Sequence, residues 1–458
     1  MATTYLTRTQ GSPTENKKFT VSCWFQASQV ADEMKLIYSD DNSTNNYTYI
    51  HFSDTSGRIR FQNRNGGSNN TELIWENHIK DFSAFYHLVM AVDSTQTTAS
   101  DRVKFYLNGV QQTVLDSSAN TFPPSDQTFT LNSGGYGVDI GANGFNNNAY
   151  FRGVMSYFAF IDGTQELPGI FGETDSTTGQ WKIKTTITPS VAWGANGFLI
   201  LKNGNSLTDE SSNSNNFTLG GGTLTKTESC PSNVFATMNR ASPTTVSLTN
   251  MANGNLYNGD QSPNYWQGIP GTLAASSGKI YWEVKIEGVW GSTSQNSQRH
   301  GIANIAAAVD NNTSDAYDIQ WTTAAYGIGW CNTSGVRNSG SVTGTSDYST
   351  FIATNVLMFA MDLDNLKLYL GKNGVWENSG DPTSGASGTG AYTIPAAGMW
   401  APYSETKYGS DVISWNCGNG YFRTVAISPA GSPASTPGIF QYQIPTGYQP
   451  ISTKGLNV

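Results

Sequence analysis

Phe351 to Trp376 reads FIATNVLMFAMDLDNLKLYLGKNGVW. Val356 to Leu363 is an apolar run of strand length, and Asp364-Asn365 supplies turn residues that tolerate positive φ. Leu366, Leu368 and Leu370 then alternate with Lys367 and Tyr369, the period-two pattern of a half-buried strand. Asn373-Gly374 is a strong hairpin signal. Asp101 to Val110 (DRVKFYLNGV) is a weaker copy, with Val103, Phe105 and Leu107 alternating into Asn108-Gly109. A strand ending in Tyr-Leu before an Asn-Gly turn, once in each half, predicts an all-β chain of two β-sandwich domains in tandem. The Val356 to Leu363 run carries a second expectation. Val356, Met358 and Ala360 share one face, and Leu357, Phe359, Met361 and Leu363 the other. A strand with one solvated face should alternate. Its outer face is therefore expected to be covered, by the connector between the halves, by the first domain or by a neighbouring subunit.

The bulk properties narrow the function. A chain of 458 residues exceeds what one core usually serves. Charged residues are 13% and the net charge is −9, so nucleic acid and anionic membranes have no electrostatic footprint to bind. No stretch approaches the roughly 20 apolar residues of a membrane span, and the first 18 residues lack an apolar signal core. Cys23, Cys230, Cys331 and Cys417 are far apart and form no CxxC pair, which reads as free thiols.

Along the chain, residues 1–165 alternate strands and turns. Phe19 to Phe25 (FTVSCWF) places Phe19, Val21, Cys23 and Phe25 on one face; Tyr47 to Phe52 and Arg58 to Phe61 are expected to pair. FTVSCWF, YHLVMAVD followed by KFYLNG, and DIGAN followed by YFRGVMSYFAFIDG resemble the laminin-G-like, concanavalin-type jelly roll, with Tyr86-His87 where that family often has Trp-His. Residues 166–245 form an irregular connector. It is punctuated by Phe171, Trp181, Trp193, Phe198, Phe217 and Phe235, so it should be ordered and packed on the domains it joins. In residues 246–458, GKIYWEV at 278–284, YGIGW at 326–330, the Asp362 to Gly374 hairpin, and Pro402 before Trp415-Asn416-Cys417-Gly418 resemble a SPRY domain. The full order also includes Phe171 to Asp175, Asp209 to Phe217, CPSNVFATMN at 230–239 and Pro445 to Tyr448. It is similar to a group of tailed-bacteriophage virion proteins, tail fibres or other surface proteins, although Ser452 stands where that group usually has Cys. The resemblance implies a virion location after assembly in bacterial cytoplasm, other virion proteins as partners and a homo-oligomer, with a trimer expected from family habit alone.

Catalysis finds little support in the residues. Glycosidases need carboxyls roughly 5–9.5 Å apart. Glu283 and Glu287 on one strand stand about 13 Å apart. Asp362 and Asp364 meet the distance but sit where turn formers belong, and Glu173-Thr174-Asp175 supplies only two acids of a glycanase-like pattern. His51, His78, His87 and His300 form no ligand-spaced pair, and His87 reads as a core histidine. No cofactor is implied. Calcium on Asp40, Asp41 and Asp139 is an open option against the simpler reading of solvated turns. What remains is surface recognition by aromatics on Asn-, Ser- and Gly-rich loops. The candidates are Trp290 in loop 288–300, Tyr348 in loop 332–349, and Tyr136, Phe145, Asn146 and Asn147 in loop 134–150. With loop 377–390, the low charge of the second-half loops fits a neutral glycan or a receptor. The leading expectation is a non-enzymatic virion surface protein recognising host glycan or receptor. The alternative is a structural particle component such as a head fibre, cement protein or tail adaptor.

Overall fold

The computed structural model describes residues 3–29, 33–240, 251–259, 266–291, 296–305, 327–333, 335–338, 341–344, 346–428 and 438–454. Among them there is no α-helix, only short 3-10 turns between strands. Contacts divide the chain into two units: Met1–Lys226 with Cys230–Ser232, and Thr227–Ser229 with Asn233–Val458.

The strands of the first unit are β1 (Tyr5–Thr9), β2 (Lys18–Ala27), β3 (Lys35–Asp40), β4 (Tyr47–Phe52), β5 (Ile59–Asn65), β6 (Ser68–Trp75), β7 (Tyr86–Asp93) and β8 (Val103–Leu107). They continue with β9 (Val110–Gln112), β10 (Leu115–Thr121), β11 (Gly137–Ile140), β12 (Gly153–Asp162), β13 (Gly172–Thr174), β14 (Trp181–Ile183), β15 (Phe198–Ile200) and β16 (Thr218–Gly221). Two sheets form, in the orders β10-β6-β5-β4-β3-β11-β1-β16 and β15-β12-β2-β7-β8-β9. The inward row of the larger sheet is Leu6, Ile140, Ile37, Ile50, Phe61 and Leu73, neighbours across successive strands. It packs with Phe19, Val21, Cys23 and Phe25 of the smaller sheet, as the alternation in FTVSCWF requires.

In the second unit the strands are β17 (Met251–Ala252), β18 (Tyr257–Asn258), β19 (Gln267–Pro270), β20 (Lys279–Gly288), β21 (Gln298–Asn304), β22 (Gly327–Cys331), β23 (Val336–Asn338), β24 (Ser341–Thr343) and β25 (Val356–Asp362). Then come β26 (Lys367–Lys372), β27 (Val375–Trp376), β28 (Tyr392–Thr393), β29 (Trp400–Thr406), β30 (Val412–Asn416), β31 (Tyr421–Phe422), β32 (Val425–Ala426) and β33 (Gln449–Pro450). One sheet runs β17-β18-β30-β20-β25-β26-β27, with β28 on β26 and β33 parallel to β20; the other runs β19-β29-β21-β22-β23-β24. Trp282, Trp330, Trp400 and Trp415 fill the core between them.

The two Asn-Gly turns use one device. Asn108 (φ 49) and Gly109 (φ 78), and Asn373 (φ 52) and Gly374 (φ 88), are all left-handed, the backbone of a tight hairpin turn. Asn108 Oδ1 accepts the His87 N–H at 2.8 Å, and Asn373 Oδ1 accepts the Val356 N–H at 2.8 Å. Each turn thus locks itself to the start of the neighbouring central strand.

Three expectations are corrected. Leu366 is not in a strand: it has φ 54 and closes the turn that Asp362 organises by accepting the Asn365 N–H at 3.0 Å. The face carrying Tyr369 is not solvated, because Tyr281, Met358, Ala360 and Tyr369 pack under Phe440, Ile444 and Tyr448. The cover of β25 is therefore the C-terminal segment of its own unit, and none of the three covers foreseen. Residues 166–226, expected as an ordered connector, pack on the first unit and add strands to it. β15 pairs with β12 and β16 with β1, while Phe171 and Trp193 cover the outer face of the smaller sheet at Val89, Ala91 and Ile161. Residues 241–245 lie outside the described residues.

Candidate functional site

The 134–150 loop delivers three of the expected residues to one place. Asn143 and Asn148 form an isolated antiparallel bridge, so residues between them stand out as a small hairpin beyond β11. Phe145 at its tip is 41% exposed, and Asn146 and Asn147 are exposed beside it. The hairpin is fixed at its base: the Gly144 N–H donates to Asp139 Oδ2 at 3.0 Å, and the Lys35 N–H donates to Ala149 O at 2.9 Å. A side chain at Gly144 would strike Asp139, so glycine is what allows this close approach. Next to the hairpin, Glu33, Ser53, Asn148 and Ala149 line a pocket of about 450 Å³. Asn148 thus links the hairpin to a pocket holding the Glu33 carboxylate, and Phe145, Asn146 and Asn147 stand exposed on the same hairpin, a mixture of ring, amide and carboxylate that engages sugars.

Beside this rim lies a face that sequence reasoning missed. Across the outward side of the larger sheet, Thr7, Asp139, Tyr38, Tyr49, Gln62 and Glu72 are successive cross-strand neighbours. Lys35, His51 and Arg60 form a parallel row. Tyr47, Tyr49 and Tyr38 stack, with centroids 5.3 Å apart for the first pair and 6.4 Å for Tyr38 and Tyr49. The Lys35 ammonium sits 4.0 Å from the Tyr49 ring centre and donates to His51 Nδ1 at 3.1 Å. Burial pushes the Lys35 amine down to about 8 and His51 well below its ordinary value, so His51 is neutral and carries its proton on Nε2. Burial also raises the carboxyls of Asp40 and Asp139. The signal was present in the alternation of Tyr47, Tyr49 and His51 with Thr48, Ile50 and Phe52. Asp41 is held inside its own turn by Ser43 and Asn46, and no three metal-ligating side chains converge among the described residues.

The other expected residues are not part of the hairpin. Tyr136 is half-buried before β11, its carbonyl accepting the Gln10 N–H at 2.9 Å. Tyr348 is a correction: it is 4% exposed in the core of the second unit, so it offers no ring to a ligand. Trp290 is 37% exposed, but its ring stacks on Tyr408 at 3.9 Å and its N–H donates to Asp411. Ser297 and Gln298 also donate to Asp411, so this carboxylate organises the base of the loop. Residues 292–295, 334, 339–340 and 345 of the two loops lie outside the described residues.

The residues weighed for catalysis make structural contacts. The Trp181 indole N–H donates to His87 Nδ1 at 3.0 Å, which leaves Nε2 as the protonated nitrogen facing Ser22 Oγ at 2.8 Å. A donor cannot take the serine proton, and burial pushes His87 down to about 3, so this pair is no nucleophile and base. Glu283 is fully buried under the C-terminal segment. Asp362 pairs with Lys279 at 3.0 Å, and Asp364 accepts the Gly278 N–H at 2.8 Å. Lys182 lies 3.3 Å from both Glu173 and Asp175. Each carboxylate singled out is engaged structurally.

A family model described as the concanavalin A-like lectin/glucanases superfamily (Laminin_G_3) matches residues 1–166. The first unit contains a laminin-G-like, concanavalin-type domain. To its 166 matched residues this chain adds β13 to β16. No curated protein matches the chain. Among solved structures, the SPRY domain of human HERC1 is similar at 15% identity over 35% of this chain and 85% of that one, with a TM-score of 0.26. A heptameric SAP-like pentraxin from Limulus polyphemus is similar at 16% identity over 36% and 72%, with a TM-score of 0.27. Domain 4 of AbnA, a GH43 extracellular arabinanase from Geobacillus stearothermophilus solved with arabinotriose, is similar at 15% identity over 34% and 64%, with a TM-score of 0.25.

Proposed function

We propose that this is a non-catalytic glycan-binding protein and that the rim of its laminin-G-like unit is a binding surface. The observation that carries the reading is the Asn143–Asn148 hairpin, which holds Phe145, Asn146 and Asn147 exposed beside the Glu33 pocket. An arabinanase domain and a pentraxin among the similar structures are compatible with it, without adding to the argument. The segment order similar to phage virion proteins supports a place for the protein on a bacteriophage particle, as a tail fibre or related surface component, with other virion proteins and copies of itself, a trimer, as partners. The ligand is then a host-surface glycan. The test is binding of purified protein to host-cell polysaccharide, with Phe145→Ala and Asn146→Ala/Asn147→Ala variants. Exposed residues are tolerant sites, so the variants should melt like the wild type. Losing one ring contact should weaken binding by about tenfold. Unchanged binding, or particles carrying the variants that adsorb normally, would support a structural particle component instead.

A further inference from the structure

The geometry points to a second saccharide site, in the second unit, with Trp376 and Tyr442 as its stacking rings and Asp381, Thr383, Gln443 and Thr446 as its hydroxyl partners. These residues line a groove of about 590 Å³ between the β26–β27 hairpin with the segment after it and the C-terminal strap. That volume is within the roughly 300–1,000 Å³ usual for small-ligand sites.

The groove is built, not incidental. Its strap wall is pinned where Glu283 Oε2 accepts the Gln441 N–H at 3.0 Å and Oε1 accepts the Tyr442 N–H at 2.8 Å. The opposite wall is tied to the same strap by Tyr448, whose hydroxyl donates to Pro382 O at 3.2 Å. At the floor, the Gly374 N–H meets Met358 Sδ at 3.2 Å, and a Cβ at Gly374 would stand 3.0 Å from the Tyr442 ring. The Asn-Gly turn therefore sets the hairpin and also admits the ring. Trp376 and Tyr442 are only half-buried, and Asp381, Thr383, Gln443 and Thr446 are exposed. Asp381 Oδ1 is occupied by the Thr383 N–H at 2.9 Å and hydroxyl at 2.6 Å, which orients the carboxylate and leaves Oδ2 to the groove.

The chemistry selects the ligand class. Among the described residues no Lys, Arg or His lines the groove, so phosphate, sulfate and acidic sugars would meet a carboxylate without a counter-charge. A neutral pyranose offers apolar C–H faces to the rings and vicinal hydroxyls to the carboxylate, amide and hydroxyls.

The test uses the full chain and a panel of maltotriose, cellotriose, lactose, mannotriose and chitotriose, read by saturation-transfer NMR and calorimetry. At least one should bind, and Trp376→Ala and Tyr442→Ala should each weaken it by about tenfold. Trp376→Phe keeps a ring and should stay within about threefold. Asp381→Asn changes an exposed side chain, so its weaker binding separates recognition from folding. In a Phe145→Ala background, which removes the ring of the laminin-G-like rim, Trp376→Ala should still weaken this binding by about tenfold, which distinguishes the groove from that rim. Binding to none of the panel, binding indifferent to all the groove variants, or Trp376-dependent capture of decaproline in place of sugar would each overturn the assignment.

Discussion

Single residues here are set by what surrounds them more than by their type. Asn108 and Asn373 follow the same Tyr-Leu dipeptide pattern, and each uses its side chain to take the N–H across the hairpin. That much is local and legible. Lys35 is not: a lysine opening a strand reads as solvated, yet it is 3% exposed between Tyr49 and His51. Its ammonium titrates near 8 against 10.5 for the free side chain. Between those values the unfolded chain holds the proton and the folded chain does not, so stability should rise with pH through that window. Below it, both states are protonated and the cost of the buried charge is fully felt. Comparing melting temperatures of wild type and Lys35→Met from pH 7 to 11 checks this. Wild type should gain on the variant between pH 8 and 10.5; parallel curves would show that the amine is not buried as described.

At the level of elements, the strap over β25 depends on one side chain. Glu283 also accepts from Asn416 Nδ2 at 3.0 Å and from the Tyr281 hydroxyl at 3.1 Å, so donors surround both oxygens. In Glu283→Gln, whichever oxygen becomes an amide nitrogen, the Gln441 or the Tyr442 N–H loses its acceptor. An unsatisfied buried N–H costs about 1–3 kcal/mol. Amide exchange at 441–442 should then quicken by on the order of tenfold, with the β2–β7 pair of the first unit unaffected. Burial raises the Glu283 carboxyl from 4.5 to about 7, despite the donors. The folded chain therefore keeps a proton that the unfolded chain releases between pH 4.5 and 7, and this contribution to stability falls as pH rises through that window. The Gln variant should lack that slope. Equal exchange and equal slopes in both proteins would sink the latch.

For the whole molecule, the unit boundary decides what can stand alone. Phe198, Ile200, Leu201 and Phe217 belong to the first core, although they follow the 166 residues of the family match. Burying each is worth about 1.5–3 kcal/mol, so together they approach the 5–15 kcal/mol by which a typical domain is stable. Ending the chain at 165 also strips Phe171 and Trp193 from Val89, Ala91 and Ile161, and opens the edges of β12 and β1. A fragment 1–226 should unfold in one cooperative urea transition. A fragment 1–165 should aggregate or melt without cooperativity. Cooperative unfolding of the shorter fragment would show that the added strands are dispensable.

The sequence by itself determined the period-two alternation, the Asn-Gly turns and so the pairing of neighbouring strands, because these depend on residues a few positions apart. It also marked the stretch 134–150 through its Asn and Gly content, and loop 377–390, which borders the second groove. The tertiary structure alone decided what covers each sheet. Phe440 lies 80 positions from Ala360 in the chain, and no local period ties a strap to the strand it shields. It likewise decided that Tyr348 is core while Trp376 and Tyr442 face a groove, since an aromatic in a polar loop looks alike whether it anchors the loop or awaits a ligand. Burial is a property of long-range contacts, and only the folded chain assigns it.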